Sequence, residues 1–298
     1  MQRPEGPLPV PEQRIGACAA TAMALVYSAP MPGVGSRYLD GPVAHERRIL
    51  AVLPVRDALA GAARHSVGET VLEAAISSIA LAGFADARSA GYLAPLSRAA
   101  ALGERSGRVL RGLGHDEILY FVRAFEAAGD AGPLVSSLRV ALGAGEDATL
   151  RDAMRFAAAR DPLAREYARD YEIPRQLARP ALLAALSRSE SARGALVHSY
   201  LEVLAEVPDL DVAARAGRRE AEEVSRMANG VLKAGGVRSR RGLQAISNLD
   251  GLLRADRRLA PTATEPVVLA AAFMAALEHG PEALGHRLPP VTGRDRGR

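Results

Sequence analysis

From Arg14 to His279 the chain is written in one period: apolar residues recur three and four positions apart, segment after segment. That spacing gathers them on one face of an α-helix and predicts helices at Arg14–Ser28, His45–Ala62, Gly68–Ala82, His115–Ala128 and Pro133–Leu142. The series continues through Thr149–Ala159, Pro162–Tyr171, Pro174–Leu186 and Ala192–Glu206, then Val212–Ala234, Arg240–Ala255 and Thr264–His279. Hydrophobic residues make up 48 % of the chain but aromatics only 4 %, with no Trp. The core is therefore one of Leu, Ala and Val, and β-branched or aromatic runs are too sparse for an extensive sheet. No short-period repeat argues for a solenoid. The reading is all-α, a single multi-helix bundle-like domain over residues 1–284, with a disordered basic tail at 285–298.

Several boundaries have local causes. Asp161 before Pro162 is an N-cap followed by proline at the first helical position, and Asp147 precedes the Thr149 helix in the same way. Gly235–Gly236 supplies a left-handed stop after the long Val212–Ala234 segment. Gly103–Gly114 and Gly143–Asp147 read as loops.

A net charge of +4 comes from 38 basic and 34 acidic residues with both signs interspersed. That suits a solvated surface, not a nucleic-acid stripe, which needs clustering on one face. Lys233 is the only lysine, a bias that points to genome composition before function. Cys18 stands alone in an Ala-rich run, as a small buried thiol in a reducing, cytoplasmic setting. Ile15–Pro30 competes as a signal sequence, but it is short of a membrane span, and Glu5 and Glu12 dilute the basic residues before it. His198 falls on an apolar helical face and reads as a core histidine; no pair of histidines has metal-ligand spacing.

The chemistry-bearing signals are weaker. Pro30–Gly33 is a turn leaving a helix, which exposes backbone amides, and Arg37 follows with a guanidinium suited to phosphate. An ordinary helix-ending turn and a surface Arg37–Asp40 pair explain the same residues. After Ala153 come Arg160–Asp161, His198–Tyr200–Leu201, Ala205–Pro208, Arg215–Gly217 and Gly235–Gly236. In these residues the chain resembles the triphosphoribosyl-dephospho-CoA synthase family. The family's first motif, Glu-x-Ser-x-x-Pro-Lys-Pro-Gly-Asn-Val-x-Arg-Phe-x-Asp, is matched at Leu25–Asp40, keeping Pro30, Pro32, Gly33, Arg37, an aromatic Tyr38 and Asp40. Leu25, Met31 and Val34 replace its glutamate, lysine and asparagine. The second motif, a Gly-rich polar loop, falls at Ala82–Arg88, where Gly83 survives but Phe84, Ala85 and Asp86 stand in the polar triad. A Pro-Gly-Gly-Leu-Gly loop has no counterpart at Leu142–Leu150. The run opening the last helix appears as Pro261–Pro266, with Pro266 at the usual aspartate and Glu265 beside it.

The resemblance implies transfer of the triphosphoribosyl group of ATP to a ribose hydroxyl of dephospho-CoA with release of adenine, using Mg²⁺ with the ATP. It implies Asp40 and Asp161 as catalytic carboxylates, with Pro32, Gly33, Arg37, Gly83 and Arg160 around the nucleotide. Asp161 has its cap role as an alternative. The implied partners are a nucleotide or CoA-precursor small molecule, with a protein partner or second copy open, and no nucleic acid or membrane. Because the motifs are eroded at polar positions, little adenine release is expected. The alternative is a non-catalytic member, a nucleotide-binding or complex subunit in one-carbon cofactor synthesis.

Overall fold

A computed structural model describes residues 7–39, 41, 43–188 and 191–285. Among them the chain forms sixteen α-helices, with one isolated bridge between Ser36 and Leu39 and no sheet. The predicted tail beyond Gly285 lies outside the described residues. The helices begin with α1 (Glu12–Ser28), α2 (His45–Ala60), α3 (Val67–Ala82), α4 (Ala87–Leu102), α5 (Ser106–Arg111) and α6 (Asp116–Ala127). Next come α7 (Pro133–Gly143), α8 (Leu150–Ala157), α9 (Pro162–Ala168), α10 (Arg179–Ser187) and α11 (Ala192–Glu206). The chain closes with α12 (Leu210–Ala216), α13 (Arg218–Lys233), α14 (Arg240–Ala255), α15 (Thr264–His279) and α16 (Glu282–Gly285).

Helix α15 sets the packing. Every residue from Pro266 to Ala276 is buried, because this stretch has no polar face and a helix apolar all round must be enclosed. Helices α1, α4, α10 and α11 enclose it. Cys18 on α1 comes close enough to donate its thiol to the Ala276 carbonyl at 3.3 Å, and burial pushes that thiol up to about 11. It is the small buried hydrophobe the sequence suggests.

The departures from the predicted helices have physical causes. The period passes over α4, which contains Gly91 and Pro95. Gly91 is there for packing, since a Cβ would come within 2.8 Å of Leu163 Cδ2. Asp86 caps the helix by accepting from Ser89 N, and left-handed Gly103 ends it. Helix α5 occupies part of the expected Gly103–Gly114 loop. The expected Val212–Ala234 helix is two, broken at Gly217 with φ +116°. The cap of α8 is Thr149, not Asp147. Asp161 caps α9 and Gly235 stops α13, as expected.

Asp209 ties α12 to the entry of α15. Its carboxylate accepts from the Asp211 and Val212 amides at 2.9 and 3.0 Å and from Thr264 Oγ1 at 2.7 Å. Burial first, then the charge of Asp211, pushes it from 3.8 up to about 6. The folded protein therefore holds this proton more tightly than the unfolded chain, and the carboxyl costs stability as pH rises from about 4 to about 6. Asp209→Asn keeps the shape and removes the titration. Its stability relative to wild type should rise by about 2–3 kcal/mol between roughly pH 4 and 7, read from denaturant unfolding. A difference constant with pH would remove Asp209 as the source.

Candidate functional site

A cleft of about 590 Å³ opens where the segment after α1 meets α2, α12, α14 and the turn into α15. Its volume is in the range of small-molecule sites. The segment is held by backbone geometry. Gly33 has φ +75°, and a Cβ there would lie 2.9 Å from both Leu253 Cβ and Pro261 Cδ, so the position requires glycine. The Gly33 amide donates to Asp250 Oδ1 at 2.8 Å, and Tyr200 donates its hydroxyl to the Pro32 carbonyl at 2.8 Å. Arg254 bonds both Asp250 oxygens, at 2.9 and 2.8 Å, and reaches the Val34 carbonyl at 2.7 Å. The turn expected to present its Gly33 amide to a phosphate thus spends it on Asp250.

Four guanidinium groups line the space: Arg48 from α2, Arg215 from α12, Arg254 from α14 and Arg257 just beyond it. The carboxylate among the described lining residues is Glu265, in the first turn of α15. Arg48 grips it with both Nη atoms, at 3.0 and 2.9 Å. On its other side the Arg48 guanidinium lies 3.8 Å over the Tyr27 ring. The Tyr27 hydroxyl sits 2.5 Å from Asp86 Oδ2 and 2.7 Å from Ser89 Oγ. Burial raises Glu265 above the usual carboxylate range; Arg48 pulls it back, and Asp86 adds to the rise. Burial and the charge of Asp86 likewise push the Tyr27 phenol well up.

Two of the four positive charges are met locally, by Glu265 and Asp250. Arg215 donates to the Arg258 and Ala260 carbonyls and to Thr262 Oγ1, all neutral groups. The Arg257 guanidinium has no hydrogen-bond or ion-pair partner among the described residues. The N-terminal turn of α15, which brings Glu265 to the cleft wall, adds its partial positive charge. Among the described lining residues, positive charge therefore exceeds negative.

Of the residues picked from the sequence, Gly33 lines this cleft and Pro32 is buried behind it. Arg37 is exposed on the same segment, next to Tyr38, over which Arg193 stacks at 5.7 Å. Asp40 lies outside the described residues. Gly83 ends α3 with φ +72°, its carbonyl held by Arg47. Arg160 is exposed over Phe156, beside a second depression of about 320 Å³ that shares no lining residue with the first. Asp161 is buried, accepting from Ala164 N at 2.9 Å and pairing with Arg88 at 3.2 Å. The structure therefore leaves Arg37, Arg160 and Asp161 off the lining of the cleft that Gly33 enters. His198 is a core residue, lowered to about 4 by burial and then by Arg238.

Sequence reasoning missed Arg48, Asp250, Arg254 and Arg257, which fall in none of the motifs, and Tyr27. Tyr27 carried a signal: it stands at the serine of the first motif, an exchange that adds a ring where the motif has a hydroxyl.

Comparison with known proteins places these features in a family. The CitG family, ATP:dephospho-CoA triphosphoribosyl transferase, matches residues 12–283. No curated protein matches the chain. A crystal structure from Archaeoglobus fulgidus, described as a triphosphoribosyl-dephospho-CoA synthase, superposes with a TM-score of 0.59 at 20% identity, covering 77% of this chain and 97% of that one. At that identity it speaks for the shared helical fold. With the family matched from the first helix to the last, the chain belongs to the CitG family and is a triphosphoribosyl-dephospho-CoA synthase-like protein.

Proposed function

We propose that the arginine-lined cleft binds the triphosphate of ATP and that the protein transfers the triphosphoribosyl group to a hydroxyl of a CoA precursor. The observation that carries this reading is the excess of positive charge in the cleft. Arg215 and Arg257 face the space without a carboxylate partner among the described residues, beside the N-terminal turn of α15. A helix N-terminus and planar guanidinium forks suit phosphate oxygens, and an extended triphosphate can meet several at once. The family match and this lining favour a transferase over a non-catalytic subunit. Cytoplasm, where Cys18 stays reduced and ATP is present, fits this reading.

In the reaction the acceptor hydroxyl oxygen bonds to the anomeric carbon as the bond from that carbon to adenine breaks. The ribose passes through an oxocarbenium-like state. Glu265, buried and raised above the ordinary carboxylate range, takes the hydroxyl proton. Adenine leaves with the electron pair of the broken bond and takes up the proton that Glu265 accepted, so the protein returns to its starting charge. The arginines hold the triphosphate and fix the ribose against the acceptor.

The Mg²⁺ implied for the ATP finds no resident ligand set among the described residues. Glu265 and Asp250 are each paired with an arginine, and among the described residues no group of three His, Cys, Asp or Glu stands ready for a metal. The fixed positive charge of the cleft is arginine, and the steps above run on that.

Two outcomes test the proposal. Calorimetry with ATP should show Arg257→Ala losing ten- to a hundredfold in affinity, the cost of about 1.5–3 kcal/mol for one charge-assisted contact. Unchanged affinity would take Arg257, and with it the triphosphate placement, out of the cleft. Glu265→Gln should bind ATP as well as wild type or better, since it removes a negative charge. It should release adenine from ATP plus dephospho-CoA about 10²–10⁴-fold more slowly. Equal turnover would dismiss Glu265 as the base.

A further inference from the structure

We infer that Tyr27 is a positioning residue for Glu265: its ring face holds the Arg48 guanidinium in the plane from which both Nη atoms meet the carboxylate, and Asp86 anchors the phenol. This rests on the transferase reading of the cleft. Tyr27 is not among the residues lining the cleft, so it reaches Glu265 through its neighbours, Arg48 foremost.

The argument is geometric. Arg48 has 16 % of its side chain exposed and Glu265 13 %, so water enforces neither position. A buried pair is worth keeping only if its geometry is good, because each ion has given up its hydration. A guanidinium is flat and needs a flat support. Tyr27 supplies one at 3.8 Å, fully buried on α1, and its ring cannot turn freely because the hydroxyl is bonded at 2.5 Å to Asp86 Oδ2. Asp86 is fixed in turn, as the cap of α4, by the Ser89 amide. The stack thus runs from α4 through α1 and α2 to the first turn of α15, four helices that converge at this end of the core.

Direct support also comes from the backbone. Arg48 Nη1 lies 3.4 Å from the Gly35 carbonyl, on the segment that walls the cleft. One guanidinium therefore joins the ring, the carboxylate and the wall. The other charged and titratable groups bearing on Glu265 are Asp86, Tyr200 from α11, and Arg215, Arg254 and Arg257 across the cleft. None of them touches Tyr27 except Asp86, so a change at the ring reaches Glu265 through Arg48 or through the field of Asp86. Tyr27→Phe separates the two routes: it keeps the face and removes the bond to Asp86.

The experiment follows the Glu265 carboxyl by carbon-13 NMR of glutamate-labelled protein, with Glu265→Gln assigning the signal. Tyr27→Leu removes the ring face, weakens the pairing and should raise the Glu265 midpoint by about one pH unit, as expected when an opposite charge draws back. Tyr27→Phe should leave the midpoint within a few tenths of a unit. Equal midpoints in wild type and Tyr27→Leu overturn the inference, as does a shift in Tyr27→Phe as large as in Tyr27→Leu. Should Tyr27→Leu not fold, Arg48→Lys makes the same test from the other side: it keeps the charge, loses the flat fork, and should raise the midpoint too. A wild-type midpoint in Arg48→Lys shows that charge alone suffices and overturns the positioning role. Adenine release is measured separately on the same proteins. Its absence in wild type defeats the transferase reading, while the carboxyl titration still decides what Tyr27 does.

Discussion

The constraint on which this structure turns is that α15 is apolar on every side until its first turn. From Pro266 to Ala276 every side chain is apolar and buried, so the surrounding helices bring their own apolar faces to it. Polar side chains gather at its two ends, Arg179 pairing with Glu278 at the far one and a larger group meeting at the N-terminal one. There Thr264 meets Asp209, Glu265 meets Arg48 and Thr262 meets Asp211, each from a different helix or turn. The cleft is where the enclosure stops. Its charges are held rigidly because the helices that carry them are fixed by packing some way below.

That arrangement changes how the replaced motif positions read. Met31 and Val34 stand where the family motif has a lysine and an asparagine, and both are buried. Met31 is fully buried, a setting in which a lysine ammonium would need a partner to offset its lost hydration. Losses at separate contacts add only if nothing replaces them. Here Arg48, Arg254 and Arg257 supply charge from α2 and the end of α14, stretches that match no motif. Similarly Glu265, one residue before Pro266, provides a carboxylate beside the position where the motif has its aspartate.

How much of this was legible follows from what sequence periodicity can and cannot carry. The helical class, the Asp161 cap and the Gly235 stop are local properties, set by side-chain spacing and by backbone preferences within a few residues. Helix α4 was invisible because Gly91 and Pro95 vote against helix locally, and only Leu163, more than seventy residues away, explains the glycine. The break at Gly217 was hidden by apolar spacing that runs straight through it. The site was least legible of all. Asp161 is bonded to Ala164 N and Arg88, off the lining of the cleft, while Arg48, which no motif marks, is half of a buried pair. Which of many arginines turns inward depends on contacts between Tyr27, Arg48 and Glu265, and these come together only on folding.

The near absence of lysine then acquires a structural meaning at this one place. Arg48 does three things at once: it sits over the Tyr27 ring, bonds both oxygens of Glu265 and reaches toward the Gly35 carbonyl. An ammonium has no face to lay on a ring and no fixed fork for a carboxylate. Arg254 shows the same economy, bonding both oxygens of Asp250 while also holding the Val34 carbonyl. A composition rich in arginine makes such residues available along the chain. It does not explain why two arginines hold the wall of the cleft and its carboxylates in place together, which is a consequence of the planar, multiply donating guanidinium.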